Sequence, residues 1–276
     1  MRHSVVLDFK KCRGCTTCIK NCPTEAIRVR SGKATILPNR CIDCGTCIRV
    51  CPHKAVKSVC DDFSALKNYR YTIAIPDPAL YGQFQNLDDV DIVLNGLLEL
   101  GFDHVYEASA ACEMLSGFAR ERILKESDRP MPEISPACPA VVRLISIRFP
   151  KLINHIAPVI TPSEFAAITA RQQAVKDTGL SPDEIGVFSI VPCSSLVTAA
   201  HSPVGLAHPV LDGAFAIRDV YLALLGPMKK LDKDNLKPLS ASGILGVGWA
   251  YVGGESAGRL RERYVAVDGI DNVIRM

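Results

Sequence analysis

The feature that most constrains this chain is a cysteine pattern that occurs twice near its N-terminus. Four cysteines and a proline are repeated with the same spacing 29 residues later, as Cys12, Cys15, Cys18, Cys22-Pro23 and then Cys41, Cys44, Cys47, Cys51-Pro52. Thiolates at such spacing favour metal binding over disulfides. Structural zinc is the alternative, but zinc needs four ligands per site and does not call for a third evenly spaced cysteine plus Cys-Pro in each copy.

This C-x2-C-x2-C-x3-C-P run resembles that of bacterial two-cluster ferredoxins, over residues 1–60. The resemblance implies an α+β, pseudo-symmetric module of short hairpins and helices that holds two 4Fe–4S clusters and transfers single electrons. A tight C-x2-C-x2-C loop supplies three corners of one cube, and the cysteine before proline reaches the other cube. We therefore expect one cluster on Cys12, Cys15, Cys18 and Cys51, and the second on Cys22, Cys41, Cys44 and Cys47.

The charge is unevenly distributed along the chain. Residues 1–60 contain 12 Lys and Arg against 3 Asp and Glu, a net charge of +9, whereas the remainder has 20 against 26, a net charge of −6. Each oxidised cluster with four thiolates carries about −2, so the basic excess offsets buried negative charge. This explanation is favoured over a nucleic-acid-binding patch.

The sequence predicts a cytoplasmic protein without a membrane span. No apolar run approaches the ~18–20 residues of a transmembrane helix, and the N-terminus lacks the apolar core and cleavage site of a signal peptide. Twelve cysteines in a reducing compartment are expected to bind metal or remain thiols.

Residues 61–70 are polar and are predicted to be a linker to a larger domain over residues 71–276. Strands are expected at 71–75, 104–106 and 185–191, and helices at 87–100, 110–126, 140–147, 217–225 and, with a Ser163 cap, 163–176. This alternation predicts an α/β domain with mostly parallel sheet. Its sites should lie at the carboxyl ends of strands. Cys138 and Cys193 lie at such places, each beside a proline, although a buried thiol is the alternative for each.

Several segments of this domain resemble iron-only (di-iron, FeFe) hydrogenases in order and spacing, over roughly residues 70–276. Ser135-Pro-Ala-Cys138-Pro resembles the T-S-C-C-P motif, and Pro192-Cys193-Ser-Ser-Leu196 resembles M-P-C-x-x-K. Further similar segments are Gly101–Glu107, Ala241–Gly243 and Gly253–Glu255.

The resemblance implies an α/β hydrogenase-type catalytic domain with an H-cluster, a 4Fe–4S cube bridged to a two-iron unit. Cys138 and Cys193 would then be two of the four ligands to the cube. Ser194 and Ser195 would hydrogen-bond cluster or ligand atoms, with helix capping as the alternative. Ferredoxin or another one-electron carrier would be the partner.

The chain also departs from this family. The remaining two cube ligands belong to a C-x-x-x-C motif, and no such pair follows Cys193. Two hypotheses follow: the sequence is a truncated portion of a longer protein, or the catalytic cluster has been lost. Ala137 stands where the family has a proton-relay cysteine, Leu196 where it has a lysine, and Phe118 and Ala119 near two glutamates of its proton path.

These losses resemble the sensory branch of the family, in which the hydrogenase domain is joined to signalling modules. One functional hypothesis is therefore a slow hydrogenase-type enzyme or hydrogen sensor. The other is a non-catalytic electron-transfer or redox-sensing protein that retains the fold. The sequence does not decide whether the chain is an enzyme. It contains no dinucleotide-binding or Walker-type loop, and Cys60 and Cys112 are expected to be buried thiols.

Overall fold

The computed structural model describes residues 3–125, 130–232, 235–260 and 263–276. Its N-terminal region is built from two small antiparallel sheets and two short helices. In one sheet β1 (Val5–Leu7) pairs with β4 (Val56–Ser58), and in the other β2 (Ile27–Arg30) pairs with β3 (Lys33–Ile36). The helices are α1 (Thr17–Lys20) and α2 (Thr46–Val50).

The cysteine repeat is also a repeat of backbone conformation. Positive φ angles recur at an offset of 29 residues, in the pairs Gly14 and Asp43, Thr16 and Gly45, and Glu25 and Lys54. Backbone hydrogen bonds recur in the same way, since the amide of Cys12 donates to Asp8 and that of Cys41 donates to Leu37. The two copies therefore follow the same path and present their cysteines equivalently.

A four-stranded sheet forms the centre of the larger domain. Its order is β6-β5-β7-β8 with every neighbouring pair parallel, and the strands are β5 (Tyr71–Pro76), β6 (His104–Val105), β7 (Ile185–Val191) and β8 (Gly213–Ala216). Every residue of β7 is buried, as expected for a parallel strand covered on both faces. The predicted parallel α/β architecture is confirmed.

Helices cover both faces of this sheet. Those of the larger domain are α3 (Val90–Glu99), α4 (Ala108–Lys125), α5 (Pro139–Arg148), α6 (Pro162–Thr178), α7 (Ser194–His201), α8 (Ile217–Met228), α9 (Ile244–Val247), α10 (Gly254–Gly258) and α11 (Ile270–Arg275). Alternate residues of the strands point to opposite faces. On one face Ile73 and Val187 pack against small α6 residues such as Ala170. On the other face Phe188 packs with Leu224 of α8.

Three expectations need correction or completion. Segment 61–70 is not a free linker, because a 3-10 helix (Phe63–Asn68) packs on the sheet and the Phe63 ring stacks on Phe215 at 4.7 Å between centroids. Helix α6 is capped by Thr161 rather than Ser163, because Thr161 and Glu164 form a reciprocal capping box. The predicted end of α4 at position 126 lies outside the described residues.

None of the helices in the described ranges has both the length and the hydropathy needed to cross a bilayer.

Candidate metal centres and the adjoining cysteine pair

The first cysteine site consists of Cys12, Cys15, Cys18 and Cys51. All four line one cavity in the N-terminal module. Cys12 and Cys15 lie in the tight loop before α1, Cys18 lies in the first turn of α1, and Cys51 follows α2 of the other repeat. Two sulfur atoms accept hydrogen bonds from backbone amides. Ala34 N lies 3.4 Å from Cys12 Sγ, and Ala55 N lies 3.3 Å from Cys51 Sγ. Such bonds stabilise thiolates.

The second cysteine site consists of Cys22, Cys41, Cys44 and Cys47, which line a second cavity. The amide of Ala26 donates to Cys22 Sγ at 3.2 Å, the counterpart of the Ala55–Cys51 bond in the other repeat. Each site therefore takes three thiols from one repeat and one from the other. The structure brings together both sets of four that the sequence predicts.

The spacing of these thiols distinguishes an iron–sulfur cube from a single zinc ion. Four thiolates bound to one zinc ion lie about 3.8 Å from one another. Within the described ranges, no three cysteine sulfurs lie within 4.8 Å of one another. In the same ranges, one group of three side chains that could bind a metal has its ligand atoms within this distance, and it consists of His3, Cys41 and Asp43. Sulfurs held further apart around a cavity fit a larger metal core.

Burial changes the titration of two thiols in the second site. Burial raises the pKa of Cys41 to about 12, with the neighbouring Asp43 adding to the effect. Burial also raises the pKa of Cys47 to about 12, and the nearby Cys44 thiol reinforces the shift. Thiols with such pKa values are protonated at neutral pH unless a bound cation stabilises the thiolate. The donor set of each site, four thiols around one cavity, fits a 4Fe–4S cluster.

Cys138 and Cys193 form what we call the cysteine pair. They occupy equivalent positions at the starts of two helices. Cys138 is the N-cap residue of α5, and Cys193 is the N-cap residue of α7, directly after β7. Both are accessible to solvent. Nevertheless, surrounding protein desolvates the Cys138 thiol and raises its pKa, and the thiols of Cys193 and Cys44 raise it further. The cysteine pair therefore lies close together and beside the second cysteine site.

The three groups of thiols form a continuous series. The Cys18 thiol of the first site lies close enough to Cys47 of the second to contribute to its raised pKa. Cys44 of the second site does the same for Cys138. The order is therefore first site, second site, cysteine pair. It is a geometry suited to carrying electrons between the surface of the small module and the larger domain.

Buried hydrogen bonds hold the second site against α7. Ser194 Oγ donates to the carbonyl oxygen of Asp43 at 2.8 Å, and Ser4 Oγ donates to the carbonyl oxygen of Ser194 at 2.6 Å. The Ser4 amide donates to Thr198 Oγ1 at 3.0 Å. All four residues are at most 6% exposed, so water does not compete for these bonds and the junction is rigid.

The remaining predicted site residues have different surroundings. Ser195 Oγ lies 3.2 Å from Cys193 Sγ, and the N-cap residue of α7 is Cys193, which makes no side-chain cap. The amide of Ala137 donates to Ser135 Oγ at 3.1 Å. Leu196 packs against the core cluster that contains α6 residues. At these two positions the chain offers a methyl group and an isobutyl group, neither of which exchanges protons.

The two cysteines expected to be buried thiols are placed apart from these sites. Cys112 is buried within α4, where burial raises its pKa. Cys60 is only partly buried and packs against the sheet. Neither lines a cysteine site.

Sequence reasoning missed two functional candidates, Asp43 and Arg143. Both are buried, and their side chains meet between the second cysteine site and α5. One signal was present in the sequence. Where the first repeat has Cys-Arg-Gly14-Cys, the second has Cys-Ile-Asp43-Cys, so a charged residue replaces glycine in otherwise equivalent loops.

Comparison with known proteins finds a family match in each of the two parts of the chain. The 4Fe-4S dicluster domain family matches residues 4–52. The family described as iron only hydrogenase large subunit, C-terminal domain, matches residues 70–198. The periplasmic Fe hydrogenase large subunit of Nitratidesulfovibrio vulgaris is 31% identical over 210 residues, covering 69% of this chain and 50% of the relative. The chain is a homologue of the iron-only hydrogenases.

A second relative of this hydrogenase homologue is iron hydrogenase 1 of Clostridium pasteurianum, 26% identical over 126 residues, which are 45% of the chain and 22% of that protein. The homologue thus spans at most half the length of these two curated relatives.

Solved hydrogenase structures share the fold of the homologue. An apo FeFe-hydrogenase HydA1 variant from Chlamydomonas reinhardtii matches with a TM-score of 0.51 at 18% identity, covering 66% of this chain and 52% of that one. The HydA(deltaEFG) FeFe-hydrogenase matches with a TM-score of 0.51 at 18% identity, covering 68% and 55%. At this identity the likeness establishes the fold alone.

Proposed function

We propose that this chain is the electron-relay part of a hydrogenase-type protein, with two 4Fe–4S clusters leading to the cysteine pair. Bound 4Fe–4S clusters supply one-electron transfer. Four thiols of the chain hold each cluster, and backbone amides donate hydrogen bonds to the sulfurs. Buried hydrogen bonds fix the second site against α7. The observation that carries the proposal is the pair of four-cysteine sites, the second of which is held against α7 of the larger domain by the Ser194–Asp43 hydrogen bond.

The cysteine pair does not complete a catalytic cluster on its own. A 4Fe–4S cube takes four ligands, and Cys138 and Cys193 provide two. We propose proton reduction or dihydrogen oxidation, slow and serving hydrogen or redox sensing, for a protein in which the remaining ligands are supplied.

A second candidate function is non-catalytic electron transfer or redox sensing. It is favoured by Ala137 and Leu196, because neither an alanine nor a leucine side chain can relay a proton or donate a hydrogen bond. The packing of Leu196 into the core gives that residue a sufficient structural role. The cytoplasmic location and the association with signalling modules remain predictions from the sequence.

We further propose that an acidic one-electron carrier, such as a ferredoxin, docks beside the first cysteine site. Cys15 is exposed there. Exposed basic side chains surround it in sequence, and the nearby Phe9 ring is 61% exposed. The basic residues are Lys10, Lys11 and Arg13. Exposed basic side chains are complementary to an acidic carrier and accelerate encounter at low salt.

Iron and sulfide analysis after anaerobic purification tests the relay. About eight irons per chain are expected from two 4Fe–4S clusters. Cys15→Ala and Cys51→Ala should each remove the same half of the iron and the same spectroscopic signal, and Cys22→Ala should remove the other half. Cys60→Ala is the control and should retain about eight irons. Iron-free protein, or zinc at equal stoichiometry, would contradict the proposal.

Infrared spectroscopy distinguishes the two candidate functions. After treatment with the maturation machinery, CO and cyanide bands together with iron in substantial excess of about eight per chain would support the hydrogenase-type function. Full occupancy of the relay clusters without these bands would support the non-catalytic function. In the hydrogenase-type case, Cys193→Ala should abolish the bands.

A further inference from the structure

The second cysteine site differs from the first by a buried carboxylate. Gly14 and Asp43 occupy equivalent positions in the two repeats and share a left-handed backbone, with φ of 69° and 54°. Aspartate is one of the few residues besides glycine that adopts this conformation readily. The side chain that the second repeat gains is 1% exposed, so the charge is placed inside the protein.

Polar groups surround the Asp43 carboxylate. His3 Nδ1 lies 2.6 Å from Oδ2, and the Val5 amide donates to Oδ1 at 3.3 Å. The same Oδ1 lies 3.9 Å from Cys41 Sγ, one of the four thiols of the second site. The carboxylate therefore lies in contact with a sulfur that we assign as a cluster ligand.

Arg143 supplies the opposite charge. Its Nη1 lies 3.5 Å from Asp43 Oδ2, and its Nη2 donates to the Ser202 carbonyl oxygen at 2.9 Å. The arginine is 6% exposed. Charges buried in this way are weakly screened by solvent and salt, so both act on a neighbouring cluster.

We propose that Asp43 and Arg143 set the reduction potential of the second 4Fe–4S cluster apart from that of the first. This inference rests on the proposed function, because it requires clusters at both sites. Reduction adds one electron to a cluster. A negative charge nearby disfavours that electron and lowers the potential, whereas a positive charge raises it. Gly14 provides no such charge at the first site, so the pseudo-symmetric clusters become inequivalent.

Anaerobic potentiometric titration of the full chain, followed by electron paramagnetic resonance, tests the proposal. Asp43→Asn keeps the size, the acceptor oxygen and the tolerance of positive φ, but removes the charge. We expect the reduction potential of one of the two one-electron steps to rise. The equilibrium constant of that reduction should increase at least about tenfold, which corresponds to about 59 mV. Arg143→Gln should shift the same step to lower potential. Asp62→Asn, at an exposed carboxylate, should move neither step.

Opposite signs separate a charge effect from a structural one, because mere loosening would move both variants in the same direction. Arg143→Lys retains the charge and should keep the potential near that of the wild type. Should Arg143→Gln fail to fold, Asp43→Asn and Arg143→Lys still decide the question. Equal shifts of both steps, shifts of the same sign, or unmoved potentials in a chain with about eight irons would overturn this inference alone. A chain without iron would overturn the proposed function together with it.

Discussion

Replacing Gly14 with alanine should damage the first cysteine site alone. A Cβ at Gly14 would lie 2.5 Å from the Gly32 carbonyl oxygen and 3.0 Å from its carbon. Both are backbone atoms of the turn between β2 and β3, so the turn itself must move. Gly32→Ala is a matched control, because Gly32 has nearly the same φ, 72° against 69°, and open space around its Cβ.

The comparison isolates the clash from the conformational cost. A left-handed backbone costs an alanine about 1–2 kcal/mol at either position. Overpacking against backbone should add about 1–3 kcal/mol at Gly14 only. Because Gly14 lines the first cavity and not the second, Gly14→Ala should also lose about half of the iron, whereas Gly32→Ala should retain it.

Thermal unfolding under anaerobic conditions, at one scan rate and with visible absorbance of the clusters, measures both effects. Gly14→Ala should unfold several degrees below Gly32→Ala, since about 1 kcal/mol corresponds to about 2–4 °C in a chain of this size. Equal unfolding temperatures with equal iron content would refute the reasoning. So would loss of the second cluster in place of the first.

Two further predictions concern the larger domain. Burial raises the pKa of Asp77 to about 6 from 3.8, so the folded state becomes less stable as pH rises from about 4 to 6, by up to about 3 kcal/mol. Asp77→Asn should remove this loss, and unchanged pH dependence of Tm would contradict it. Phe63→Ala should cost about 2–3 kcal/mol, below the range for a fully buried ring, because Phe63 is partly buried and stacks on Phe215. An unfolding temperature equal to that of the wild type would show that segment 61–70 is a free linker after all.

Much of the fold follows from local patterns in the sequence. The apolar run over 185–191 predicts a strand with the bounds that the structure shows, because a continuous run of buried residues suits a central parallel strand. The sequence predicts a Ser163 cap for α6, two residues beyond the observed cap Thr161, since both residues are plausible caps and the partner Glu164 decides between them.

The packing of segment 61–70 could not be predicted from its local sequence. Its polar composition predicts a linker, yet Phe63 and Leu66 pack among residues from distant parts of the chain. Composition averages over a segment, whereas packing depends on the direction of individual side chains. The sequence of a polar segment with a few apolar residues is therefore the same whether the segment is a linker or packs on a neighbouring surface of the protein.

The sequence alone determined three thiols of each set, because these are a few residues apart and covalent geometry brings them together, whereas the fourth thiol of each set is what the resemblance to two-cluster ferredoxins implies. Only the tertiary structure decided that Cys44 lies beside Cys138 and that Asp43 meets Arg143, 100 residues further along the chain. Those contacts depend on how the small module docks on α5 and α7. Docking results from buried packing and hydrogen bonds summed over many residues, for which no short stretch of sequence carries a signal.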